Sequence, residues 1–173
     1  MTSSDLQAAF ISGPLDNGND ACYFHAHYAA RIDAAISRGD HFVIGPIPYD
    51  IDADALAYLL GHPVSPDRIT VFVTAAEDQL WGRKFREMKV NVHVQGQSPA
   101  ERDAAMTVAS SYDVLRWRKR AEARELYGAL WREGHVTNTE RNWRRRWGIG
   151  LDEIDGEGRR AGIPGDVCIW HLA

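Results

Sequence analysis

The segment 99–103, Pro-Ala-Glu-Arg-Asp, sets three charged side chains in a row, and two of them have chemistry to offer. Arg102 presents a planar fork that can grip an anion. Asp103 presents a carboxylate that can take up a proton or steady a developing positive charge. Further along, Glu122, Glu125 and Glu140 are carboxylates set in a segment rich in arginine. Two apolar runs end in Gly-Pro, at Ser12-Gly13-Pro14 and at Gly45-Pro46. Glycine allows close approach and exposed N–H groups can bind oxygen, so these ends suit a backbone brought against something flat or anionic. Each Gly-Pro also reads as a simple turn. His25 and His27 lie two apart on an expected helix and point in different directions, so they cannot chelate a metal from one face. No metal and no cofactor is expected.

These residues must be held by an alternating framework. The runs 8–14 and 40–46 read as buried strands, 68–74 as a third strand rich in β-branched residues, and 89–96 as a strand with one exposed face. Between them, Phe24, Tyr28, Ile32 and Ile36 recur every fourth residue and give a helix one apolar face, with Gly39 as its stop. The stretch 52–61 reads as a shorter helix with Asp52 or Asp54 as its cap. Ser98, Pro99 and Glu101 start the helix that carries Asp103, as N-cap, first helical residue and the partner of a capping box. The strand 112–117 then ends in Arg116 and Trp117. A charged helix follows over 118–134, with Leu126 and Leu130 facing inward, then a Thr-capped helix over 137–149 and a last strand near 166–173.

Strands alternating with helices at this spacing imply βαβ units: an α/β fold with a largely parallel, three-layer Rossmann-like (flavodoxin-like) sheet and helices on both faces. No repeat or linker interrupts residues 1–173, so a single domain is expected. In such sheets ligands bind beyond the carboxyl ends of the strands, where Ser12, Gly13, Pro14, Gly45, Pro46, Thr74, Arg116 and Trp117 fall.

Composition narrows the partners. A net charge of −4 argues against wholesale attraction to nucleic acid or membrane, and no apolar run approaches the roughly 20 residues of a spanning helix. Residues 116–146 hold ten Lys or Arg against four Glu, so the remainder is strongly acidic. That basic stretch reads as solvated helix faces, as a phosphate-gathering surface, or as a nucleic-acid contact aided by Trp143 and Trp147. Cys22 and Cys168 lie far apart and suit reduced thiols in a cytoplasmic protein. The chain lacks GxGxxG, GxxxxGK[ST] and GxSxG, which disfavours a dinucleotide fingerprint, a P-loop and a hydrolase nucleophile elbow.

The segments FISGPL, GDHFVIGP and RDAAMTVASSYDVL, together with the order of elements over residues 8–130, resemble the nucleoside 2-deoxyribosyltransferase-like proteins. The resemblance implies cleavage of the bond between base and (deoxy)ribose in a nucleoside or nucleotide, by hydrolysis or transfer. Asp103 matches the aspartate that contacts the base, with Ser12, Gly13, Pro14, Gly45, Pro46, Arg102, Met106 and Arg116 lining the substrate. The nucleophilic glutamate of the family lies in a Gly-Thr/Ser-x-x-Glu segment. Here that stretch reads RWRKRAEARELYG, without the glycine and hydroxyl residue, leaving Glu122 and Glu125, of which Glu125 with Gly128 is the closer match. The resemblance also implies a homo-oligomer, which Trp131, Trp143, Trp147 and Trp170 could serve as contact residues. The other reading of the same fold is a sensor that binds a nucleotide-derived ligand without turnover.

Overall fold

The computed structural model describes residues 7–15, 21–118 and 120–150. Five strands, β1 (Ala8–Ser12), β2 (His41–Ile44), β3 (Ile69–Val73), β4 (Asn91–Val94) and β5 (Tyr112–Leu115), form one parallel sheet in the order β4-β3-β2-β1-β5. The chain steps in one direction from β1 to β4, then crosses back to place β5 on the free side of β1. Right-handed crossovers therefore put the first three helical connections on one face and the fourth on the other. Flavodoxin itself sets its first strand between its second and third. Here β1 lies between β2 and β5, and the topological switch falls between β1 and β5.

The helices are α1 (21–38, with a π turn at His25–Ala29), α2 (Asp50–Leu60), α3 (75–87, with a π turn at Asp78–Gly82), α4 (Pro99–Val108), α5 (Arg120–Tyr127) and α6 (Asn138–Trp147). Alternation along the strands sorts the core into two layers. Ala9, Ile11, Phe42, Ile44, Val71 and Val114 face Phe24, Tyr28, Ile32, Ile51, Leu59 and Phe85 of the first three helices. Phe10, Val43 and Phe72 face Met106 of α4. Burial on both faces explains why β1 to β3 read as nearly continuous apolar runs. The edge strand β4 is largely exposed, and Asn91 ties it down by donating to the Asp67 carbonyl at 2.7 Å. At the other edge Arg31 of α1 donates to the carbonyls of Asp113 and Leu115, at 2.8 and 3.1 Å.

Several local expectations are corrected. Neither Asp52 nor Asp54 caps α2; Tyr49 is the N-cap and offers no side-chain bond, while Asp50 behind it has φ +56°. Ser98 does cap α4, accepting the Glu101 N–H at 3.3 Å. The reciprocal half of the capping box slips by one residue, because Glu101 accepts the Gln97 N–H at 2.6 Å. Leu126 and Leu130 are 50% and 83% exposed, so they do not face inward. The strand β5 stops at Leu115, before Arg116 and Trp117. The helix α3 has no counterpart in the pattern-based reading, because its π turn shifts the apolar spacing away from a steady helical period. The expected last strand, with Cys168 and Trp170, lies outside the described residues.

The helix α6 docks over α4 and β5 largely through charge. Arg146 donates to the Ser110 carbonyl at 3.0 Å and to its hydroxyl at 2.6 Å. Its Nε lies 2.7 Å from Asp113 Oδ2, an ion pair in which the N–H is angled off the oxygen. Burial raises the Asp113 pKa, and Arg146 is the main opposing influence. Removing one member of a buried pair strands the other charge. Asp113→Ala is therefore expected to cost about 3 kcal/mol in a urea unfolding titration.

Candidate active site

Four charged side chains converge beyond the carboxyl ends of β2 and β3: Asp52, Glu77, Arg102 and Asp103. The strand β3 delivers the first link. Thr74, just past its end, and Glu77 form a reciprocal capping box, with Glu77 Oε2 accepting the Thr74 N–H at 2.8 Å and Thr74 Oγ1 accepting the Glu77 N–H at 3.2 Å. The other oxygen of Glu77 accepts Arg102 Nη1 in a short contact. Arg102 then turns Nε and Nη2 onto Asp103 Oδ1, at 3.1 and 3.0 Å. Arg102 and Asp103 are 6% and 9% exposed, so a single guanidinium joins two carboxylates almost out of water.

Asp52 arrives from the first turn of α2, and the strand-end glycines are what admit it. A Cβ on Gly45 would collide with Asp52 Oδ2, and a Cβ on Gly13 with Ile51 and the Tyr28 hydroxyl. The two Gly-Pro ends thus make room for consecutive residues of α2, one apolar and one acidic. Asp52 Oδ2 accepts the Ile47 N–H at 3.2 Å. The residue as a whole is half-buried, but its carboxyl group is enclosed by protein atoms. That enclosure is the main reason its pKa rises to about 7, with Asp103 and Glu77 adding repulsion and the Ile47 N–H and Arg102 opposing it. Burial also raises the Asp103 pKa, against Arg102, Arg145 and a hydrogen bond from the Asn142 side chain. Three carboxylates around one guanidinium cannot all stay charged out of water, and the group that keeps a proton is Asp52.

Ser12 ends β1 on the Phe10 side of the sheet, the side covered by α4. It is 8% exposed and its hydroxyl has no partner. Its carbonyl lies 3.0 Å from the Tyr28 hydroxyl, which accepts the Arg116 N–H at 3.1 Å and pins the ends of β1 and β5 together. Pro14 and Pro46 are buried, and Met106 packs under the site against Phe10 and Phe72.

Other expected site residues lie elsewhere. The Arg116 side chain turns toward α1 and α5, donating to the Tyr23 hydroxyl and to Glu122, both at 2.6 Å. Glu125 is exposed on α5. Glu140 is buried and paired with Arg144 at 3.0 Å. Each of Arg144, Arg145 and Arg146 also has protein partners: Arg144 meets Glu140 and the Gly150 carbonyl at its own end of the chain, Arg145 meets Asn142 and Thr107, and Arg146 docks α6 on Ser110 and Asp113. Among the described residues no cluster of His, Cys, Asp and Glu could hold a metal, and no helix is long and apolar enough to cross a membrane.

Sequence reasoning singled out Arg102 and Asp103, which the fold brings together with Asp52 and Glu77; it gave Asp52 only a capping role and left out Glu77. The signal for Glu77 was present, a Thr-x-x-Glu box directly after an apolar strand. No family model matches the chain, and neither do any curated protein or solved structure.

The Asp52 pKa sets a stability prediction. Its folded value, about 7, exceeds the 3.8 of the unfolded chain. The native state therefore keeps a proton the unfolded chain has lost, and stability falls as pH rises from about 4 to about 7. Asp52→Asn removes this dependence while keeping an oxygen for Ile47. Between pH 5 and 8 its melting temperature should gain about 5 °C relative to wild type, read by calorimetry.

Proposed function

We propose that the protein cleaves the bond between base and (deoxy)ribose in a nucleoside or nucleotide, as its resemblance to nucleoside 2-deoxyribosyltransferase-like proteins implies. The observation that carries this reading is the pairing of a carboxyl group whose pKa is raised to about 7, Asp52, with a second carboxyl, Asp103, whose charged form Arg102 favours against burial. Departure of a base needs a proton on its nitrogen, while the sugar left behind gains positive charge at its anomeric carbon. In this reading Asp52 gives the proton as the C–N bond electrons pass to the base, and Asp103 faces the cationic sugar. Water or an acceptor base then bonds the anomeric carbon, and the proton released at that step returns to Asp52. Ser12, whose hydroxyl is buried without a partner, takes a polar group of the substrate.

The resemblance assigns the nucleophile to Glu125. Its exposure on α5, against the burial of Arg102 and Asp103, supports a role for the cluster instead. The same exposure favours a second reading, in which the site binds a nucleotide-derived ligand without turnover. A homo-oligomer and a cytoplasmic location complete the proposal; exposed Leu126, Leu130 and Trp147 supply apolar surface for a subunit contact.

The test is thermal stabilisation by a panel of nucleosides, nucleoside monophosphates and dinucleotides, with each mixture chromatographed for free base. Free base with a melting shift supports the enzyme, and a shift with intact ligand supports the sensor; no shift with any ligand overturns both. For the enzyme, Asp52→Asn and Asp103→Asn should each lower kcat about 100-fold or more, while Glu125→Gln leaves it within a factor of two or so. Turnover should also decline above about pH 7, as Asp52 loses its proton.

A further inference from the structure

The helix α6 packs against α4, the helix that carries Arg102 and Asp103. Arg102 spends two of its donors on Oδ1 of Asp103 alone, which leaves the remaining acceptor capacity of that carboxylate to other donors. The donor on the α6 side is Asn142, 3% exposed. Its Oδ1 accepts Arg145 Nη1 at 2.8 Å, which fixes the amide so that Nδ2 is the atom turned to Asp103. The same Arg145 nitrogen lies 3.4 Å from Thr107 Oγ1, and Thr107 donates to the Asp103 carbonyl at 3.0 Å. Asn142, Arg145 and Thr107 thus close a ring of polar contacts around Asp103.

That ring depends on the seating of α6. Arg146 anchors the helix to Ser110 and Asp113, Arg144 is 1% exposed between Glu140 and the Gly150 carbonyl, and Trp143 packs on Trp117 with ring centres 5.5 Å apart. Of the three consecutive arginines, Arg144 is buried and Arg146 is anchored, while Arg145, on the exposed rim, meets Asn142 and Thr107 on the side of Asp103.

We propose that α6 belongs to the active site, with Asn142 and Arg145 as positioning residues that orient the Asp103 carboxylate and keep it ionised. The proposal rests on the reading above only for the importance of Asp103. The charged groups facing Asp103 are Arg102 on its own helix, Arg145 on α6, and Asp52 and Glu77 across the cluster from α2 and α3. The first two favour the ionised form and the last two oppose it, so loss of the α6 donors leaves Arg102 alone against burial and repulsion.

The experiment follows the Asp103 side-chain carboxyl carbon by NMR across a pH titration of the full, isotopically labelled chain, with the resonance assigned by its disappearance in Asp103→Asn. Asn142→Leu and Arg145→Gln should each raise the Asp103 midpoint by about one pH unit. Asn142→Ser, which keeps an O–H donor, should recover part of the shift. Arg141→Gln removes the same charge from the exposed side of α6 and should leave the midpoint in place. If Asn142→Leu fails to fold, Arg145→Gln decides, since Arg145 is on the exposed rim of the helix. A midpoint unchanged in the folded variants, even with a lowered melting temperature, reduces Asn142 and Arg145 to structural residues and overturns the proposal. The titration needs no ligand and no turnover, so it stands or falls separately from the nucleoside panel.

Discussion

The constraint on which the site depends is electrostatic: one guanidinium, Arg102, has to serve several carboxylates in a place water hardly reaches. A buried charge without a partner costs several kcal/mol, so the groups around Arg102 have few free arrangements. Glu77 is fixed by its capping box at the end of β3, Asp103 by the helix it shares with Arg102, and the guanidinium spans the gap between them. This bridge ties the face of the sheet covered by α4 to the loop edge formed by the other helices. Asp52, raised to a pKa of about 7 mainly by burial and further by the charges of Asp103 and Glu77, relieves the cluster by keeping a proton.

The backbone serves this arrangement through two small residues. Ile51 and Asp52 need the space beside Gly13 and Gly45, and a methyl group at either glycine would occupy it. The first turn of α2 can then press down on the ends of β1 and β2 at once, Ile51 closing the core and Asp52 entering the polar cluster. Tyr28 supplies the complementary lock between β1 and β5, its hydroxyl shared by Ser12 and Arg116 backbone groups at the point where strand order reverses. The switch point is therefore packed from one side by Tyr28 and left with an unpartnered Ser12 hydroxyl on the other.

Charge also explains the C-terminal part of the described chain. The helix α6 carries arginines in its last turn, where they suit the helix dipole, and each has protein partners. The contact of Arg146 with Ser110 and Asp113 differs from an apolar one in that it fixes orientation as well as position, since the fork must meet its own carbonyl, hydroxyl and carboxylate. Leu126 of α5 and Leu130 just beyond it show the contrast, as apolar side chains left on the surface.

A family resemblance drew attention to Arg102 and Asp103; the sequence by itself determined the alternation of strands and helices, the parallel sheet and the cap at Ser98. These follow from local periodicity and from the short-range needs of helix ends, which neighbouring residues settle among themselves. The roles of Asp52, Glu77, Asn142 and Arg145 were decided only by the tertiary structure. Asp52 read as a cap because an acid near a helix start usually is one; its high pKa arises from enclosure at the end of β2 and from acids 25 and 51 positions away. The three consecutive arginines of α6 read equally as a solvated face, because whether an arginine meets water or a carboxylate depends on what the fold sets opposite it. Period and propensity act over a few residues, whereas burial and charge pairing act through space, and in this protein the candidate chemistry rests on the second kind.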